Sequence, residues 1–257
     1  MTSQQPDSGA PAGSLARVQE ALDRGDHGEV LRVTDAILAD RPGDDAAHEL
    51  RARALLAVGR LEEAERHAAD AVRLDPDEIR YRELLAETLA AGGAHRDAAV
   101  EYGRLARNDP RQRDWALAEA GELLSAAEAE DAVAAARRAV RLDAQDAAAQ
   151  LALARALTRI GEAGGALTAA SIASELQPDD VRAREALADA RWLSQQDAAA
   201  FTDFRNLAAE LTGPDRRRVI AKARSLYRGH AGPIGRLVAG WQALFGLALR
   251  SGWINVR

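Results

Sequence analysis

The sequence repeats itself every 34 residues. A frame laid from residue 11 divides the chain into 11–44, 45–78, 79–112, 113–146, 147–180 and 181–214 without an insertion. Position 8 of the frame reads Val18, Ala52, Ala86, Ala120, Ala154 and Ala188, and position 20 reads Val30, Ala64, Ala98, Ala132, Ala166 and Ala200. Position 11 holds Ala21, Leu55, Leu89, Leu123, Leu157 and Arg191, and position 27 holds Ile37, Ala71, Leu105, Ala139, Ala173 and Leu207. Glycine recurs at position 15 (Gly25, Gly59, Gly93, Gly161) and proline at position 32 (Pro42, Pro76, Pro110, Pro178). Self-similarity of this length is the signature of a stacked repeat architecture.

Each column has a physical reading. Small residues at positions 8 and 20 let two antiparallel helices approach closely, and larger apolar residues at 11 and 27 fill the space toward the next unit. Glycine at position 15 ends the first helix, because it adopts a left-handed conformation at little cost. Proline at position 32 ends the second, because it cannot continue the hydrogen-bond ladder. Each unit is then a helical hairpin that cannot bury its apolar face alone, and stacking supplies the common core. Sixty alanines and few β-branched or aromatic residues agree with an all-α chain.

With these columns the chain resembles the tetratricopeptide repeat family over about 200 of its 257 residues. The likeness is strongest in 45–78, with Gly59, Ala64, Ala71 and Leu74-Asp75-Pro76. It departs at position 4, where the family carries a large aromatic and this chain has Ser14, His48, Arg82, Ala116, Gln150 and Arg184. The resemblance implies a right-handed superhelical solenoid of about six hairpins (14–214), flanked by a disordered leader (1–13) and a basic C-terminal helical pair (215–257) acting as cap or attachment segment.

The resemblance also implies a concave groove lined by the first helix of each hairpin, and hence a protein-interaction scaffold or adaptor. On that basis Leu117, Leu124 and Leu151 form an apolar strip, Gly121 lets a guest approach, and Arg155, Arg159 and Arg182 form a basic cluster suited to the carboxylates of an acidic peptide or helix. One subtype of the family clamps a C-terminal carboxylate with lysines and asparagines at positions 5 and 9. Here Glu49/Arg53, Glu83/Glu87, Leu117/Gly121 and Leu151/Arg155 stand there, so that clamp is missing. The alternative reading of this cluster is bland: arginines gather by chance on an arginine-rich array, with Glu83, Glu185 and Asp189 pairing with them as ordinary surface salt bridges.

Charge divides the chain. Residues 215–257 carry nine basic groups and one acid, against 25 basic and 39 acidic groups in 1–214, within a total of -6. That total disfavours a nucleic-acid partner. A helical apolar spacing runs through Val219, Ile220, Ala223, Leu226 and Tyr227, with Gly229 to Pro233 breaking it before a second pattern from Ile234 to Ala248. Three readings compete for the segment. It closes the end of the array, it attaches the array to an anionic membrane through Arg216, Arg217, Arg218, Trp241, Phe245 and Trp253, or it binds a partner or a second copy. The second of these is the alternative function, a peripheral membrane protein.

Chemistry is hard to find in the sequence. The chain has no cysteine, and none of its five histidines has the i, i+4 partner of a helical metal motif. His27 and His95 are placed in solvated turns, His48 and His67 on repeat helices. No phosphate-binding glycine loop or nucleophile elbow occurs. No cofactor, metal or enzymatic activity is expected, and the longest uncharged apolar run, Leu237 to Leu249, is shorter than a membrane span. A cytoplasmic protein, with membrane association through its tail, is the expectation.

Overall fold

A computed structural model of the protein describes residues 12–230. All thirteen regular elements among them are α-helices. They form successive hairpins: α1 (Ala12–Asp23) with α2 (His27–Asp40), α3 (Asp45–Ala57) with α4 (Leu61–Leu74), α5 (Ile79–Ala91) with α6 (His95–Asn108), α7 (Arg113–Ser125) with α8 (Ala129–Leu142), α9 (Ala147–Ile160) with α10 (Ala163–Leu176), and α11 (Val181–Leu193) with α12 (Asp197–Glu210). A thirteenth helix, α13 (Gly213–His230), follows. The chain divides into two compact units, Met1–Asp143 and Ala144–Arg257, so that four hairpins stack in the first, and two hairpins with α13 in the second. Of the expected leader, only residues 12 and 13 are described, and they open α1. The second tail helix lies outside the described residues.

The period is kept to the residue. From α3 onward the first helices start at 45, 79, 113, 147 and 181, and the second helices from α2 onward at 27, 61, 95, 129, 163 and 197. All twelve side chains at positions 8 and 20 have zero exposure. Position 11 is buried wherever it is apolar, and the sixth repeat replaces it by Arg191, whose Nη1 donates to Asp203 at 2.6 Å. An arginine in a core column is tolerated because its head finds a carboxylate while its stem lies along apolar surface.

Position 15 has a positive φ in every repeat: Gly25 (φ 74), Gly59 (φ 77), Gly93 (φ 80), Ala127 (φ 63), Gly161 (φ 81) and Gln195 (φ 60). In each case the amide of position 16 donates back to the carbonyl of position 11, as in Arg60 N to Leu55 O at 2.9 Å. This closes the helix end with position 15 in the left-handed region. Ala127 and Gln195 therefore hold a left-handed backbone that costs a β-carbon residue about 1 kcal/mol.

Position 4, the column where the family aromatic is missing, is satisfied in a different way. His48 Nε2 lies 3.0 Å from Pro42 O, Arg82 Nη2 3.2 Å from Pro76 O, and Gln150 Nε2 2.9 Å from Ala144 O. Each polar side chain donates to the carbonyl of position 32 in the preceding repeat, a group that the inter-hairpin turn leaves without a helical partner. Tyr81 and Trp115, one residue earlier, tie successive first helices, through Tyr81 Oη to Asp45 at 3.0 Å and Trp115 Nε1 to Glu83 at 3.1 Å.

Replacing Ala127 by glycine is expected to stabilise the fourth hairpin by about 1 kcal/mol, and Gly93→Ala to destabilise the third by a similar amount. Thermal unfolding followed by circular dichroism should move in opposite directions for the two variants. Equal or same-sign shifts would contradict the strain assigned to position 15.

Candidate functional site

The exposed faces of the first helices differ between the two units. In the first unit, Glu49 accepts from Arg53 at 2.8 Å, and Glu83 is spent on Trp115. Burial, with the neighbouring Glu83, pushes the Glu87 carboxyl above its ordinary range against the pull of Arg53. Burial, with Glu87, Glu122 and Glu83, pushes the Tyr102 hydroxyl up to about 12. Beside this acidic stretch lie Leu117, Gly121 and Leu124, on one face of α7 at i, i+4 and i+7. Both leucines are half-buried, Gly121 is exposed, and a β-carbon there would meet open space.

The other groove residues belong to the second unit. Leu151 is half-buried, while Arg155 and Arg159 follow it along α9 at one-turn intervals and are exposed. Arg182 lies in the first turn of α11, its side chain is 76% exposed, and its Nε stands 3.9 Å from Asp180. The alternative pairing of groove arginines with Glu185 and Asp189 does not occur, and a different one takes its place. Both acids, at positions 5 and 9 of the sixth repeat, are bound by α13. Arg218 Nη1 reaches the two oxygens of Glu185 at 2.7 and 2.5 Å, and Lys222 Nζ lies 3.0 Å from Glu185 and 2.5 Å from Asp189. Arg155 contributes to Asp189 only through its field.

Around this cluster α13 is packed as part of the unit. Val219 has zero exposure and sits with Ala188, Phe204, Leu207 and Ala208, while Ile220 and Ala223 pack against their edge. Of the three tail arginines singled out on α13, Arg218 is therefore ion-paired, Arg217 is exposed, and Arg216 is half-buried with no hydrogen-bond partner for its Nε. Trp241, Phe245 and Trp253 lie outside the described residues.

Burial alone would raise the Glu185 carboxyl, but the hydrogen bonds from Arg218 and Lys222 outweigh it and hold the group below its usual value. Asp189 goes the other way, raised by burial and by Glu185 despite Lys222. The two acids share one ammonium, and the one with two cationic partners keeps its charge more readily.

Sequence reasoning missed a second cluster. His48 and His67 are 19 residues apart, yet positions 4 and 23 face each other across the hairpin, and their Nδ1 atoms lie 2.9 Å apart. Arg51 Nε donates to His67 Nε2 at 3.0 Å, and its Nη1 also reaches Leu31 O and Asp35. The signal was available in the next repeat, where Arg82 and Glu101 occupy the same two positions as an ion pair at 2.7 Å. Burial, then the charge of Arg51, then His48 lower the His67 pKa to about 4. Nor are the turn histidines simply solvated, since His95 Nδ1 contacts Glu122 at 2.8 Å and His27 Nδ1 is buried.

A hairpin stack in which the same columns are buried in each repeat, with a closed helix end at position 15, defines a helical-repeat protein. Residues 21–88 match the family model described as tetratricopeptide repeat. Beyond that segment, the chain has the fold of solved tetratricopeptide-repeat structures. A tetratricopeptide repeat protein from Parabacteroides merdae aligns at TM-score 0.68 and 14% identity, over 90% of this chain and 91% of that one. MamA (residues 41 to the end) from Desulfovibrio magneticus aligns at 0.58 and 17%, over 63% and 92%. Yeast Tom70 aligns at 0.53 and 19%, covering 83% of this chain and 46% of Tom70. No protein of curated function matches the sequence.

Two titration outcomes follow. Because the fold keeps His67 uncharged, stability should be complete above about 6.5 and decline as the pH falls toward 4, and His67→Gln should flatten that limb. Glu185 has the lowered pKa of a paired carboxylate, so its contribution is present above 4.5 and lost below. Glu185→Gln should cost about 1–2 kcal/mol, reduced from a buried pair because Arg218 and Lys222 are partly exposed. Hydrogen exchange should show the loss first in α13.

Proposed function

We propose that the protein is an interaction scaffold whose first helices bind a helix or extended segment of a protein partner. The observation that supports this most is the seat of α13. A helix lies against positions 5 and 9 of α11, with two cations across two acids and Val219 in the core. The array thus already receives a helix on the positions that its family resemblance marks as a binding face.

In this reading the half-buried Leu117 and Leu124, with the exposed Gly121 between them on α7, supply apolar contact to the partner. Leu151 adds a similar contact on α9, where Arg155 and Arg159, with Arg182 on α11, orient acidic groups of the guest. A scaffold role asks for no cofactor. Membrane attachment through 215–257 is the weaker alternative, because Arg218 and Lys222 are already neutralised by Glu185 and Asp189.

Leu151→Asp combined with Arg155→Glu should reduce capture of native partners at least tenfold, while circular dichroism stays unchanged. Undiminished capture would remove these residues from the binding face. Co-sedimentation with anionic liposomes that is sensitive to salt and lost on deleting 231–257 would support the alternative instead.

A further inference from the structure

One arrangement of protons satisfies every hydrogen bond of the histidine pair in the second repeat. Pro42 O can only accept, so His48 carries its proton on Nε2 and leaves Nδ1 with a lone pair. Arg51 Nε can only donate, so His67 accepts on Nε2 and carries its proton on Nδ1. The 2.9 Å contact between the two Nδ1 atoms is then a single proton held between two imidazole nitrogens. Asp70 Oδ2 lies 3.9 Å from His48 Nδ1, and ligand atoms of all three side chains fall within 4.8 Å of one another.

We infer that His48 Nδ1, His67 Nδ1 and the Asp70 carboxylate form a binding site for one divalent transition-metal ion of the zinc type. Two imidazoles and a carboxylate are a donor set such ions favour. Nitrogens bound tetrahedrally at about 2.0–2.1 Å stand about 3.3 Å apart, so the pair must open by about 0.4 Å. His48 is already prepared as a ligand, since its far nitrogen donates to a backbone carbonyl, the arrangement that fixes tautomer and ring orientation at metal sites. On binding, the His67 proton moves from Nδ1 to Nε2, and no net proton is released.

Arg51 opposes the ion. Its Nε–H points at the His67 nitrogen that must take up the proton, and its charge adds to that of Arg66 and Arg73 nearby, against Asp70 and Asp35. The site is consequently a weak one in the native chain, with Arg51 as the group that limits it. Glutamine at 51 would remove the charge and offer His67 Nε2–H an acceptor.

The test uses the full chain without a histidine tag, stripped with chelator and titrated with Zn2+ by calorimetry and with Co2+ by visible absorption. One equivalent of Co2+ giving tetrahedral-type bands is expected. His48→Gln should weaken binding at least tenfold without unfolding the chain, because Gln150 makes the same carbonyl bond at the same position of the fifth repeat. Arg51→Gln should tighten it about tenfold, a response that histidines elsewhere on the surface would not give. Absence of stoichiometric binding in the native chain and in Arg51→Gln alike would overturn the site. So would affinity unchanged by His48→Gln.

Discussion

Two helices lie side by side at short range only where neither carries a long side chain at the crossing, and positions 8 and 20 meet that condition in every repeat. An alanine methyl removes little apolar surface, on the order of 0.8 kcal/mol each, so these columns set distance more than they supply energy. The leucines at position 11, worth about 1.5–3 kcal/mol apiece when buried, can fill the remaining space only because the alanines have fixed its width. Everything else follows from this spacing: the left-handed residue at 15 must turn the chain within it, and the polar side chains at 4 must find partners at its edge.

Position 4 shows how this repeat array does without a bulky column. Where an aromatic would fill volume, His48, Arg82 and Gln150 instead satisfy a turn carbonyl. A buried polar side chain is acceptable when its hydrogen bonds are made, and here the same bond is made by three chemically different groups. The apolar burden is taken up next door by Tyr81, which is 1% exposed.

The columns were legible because each repeats the same local solution six times, and helix ends, turn positions and buried faces all fell where the 34-residue frame put them. Pairings between different columns were not. The His48–His67 contact joins positions 4 and 23, and the frame gives no sign that these meet until one repeat supplies an evident ion pair such as Arg82–Glu101. Within the frame the only cations near Glu185 and Asp189 are groove arginines, whereas their partners Arg218 and Lys222 lie beyond its last hairpin. A two-residue link, Leu211 and Thr212, replaces the four-residue turn that precedes α11, so α13 starts two residues early against the frame and meets α11 with different side chains.

An interior built so largely from alanine has little volume to trade. Enlarging any of the twelve crossing residues forces helices apart, and the ten that are alanine can shrink only to glycine. Change is thereby confined to side chains that point away from the crossings, such as positions 2, 5, 9 and 13. Substitution at the exposed positions leaves the spacing of the helices constant, so the outer surface and the fold are carried by nearly separate sets of residues.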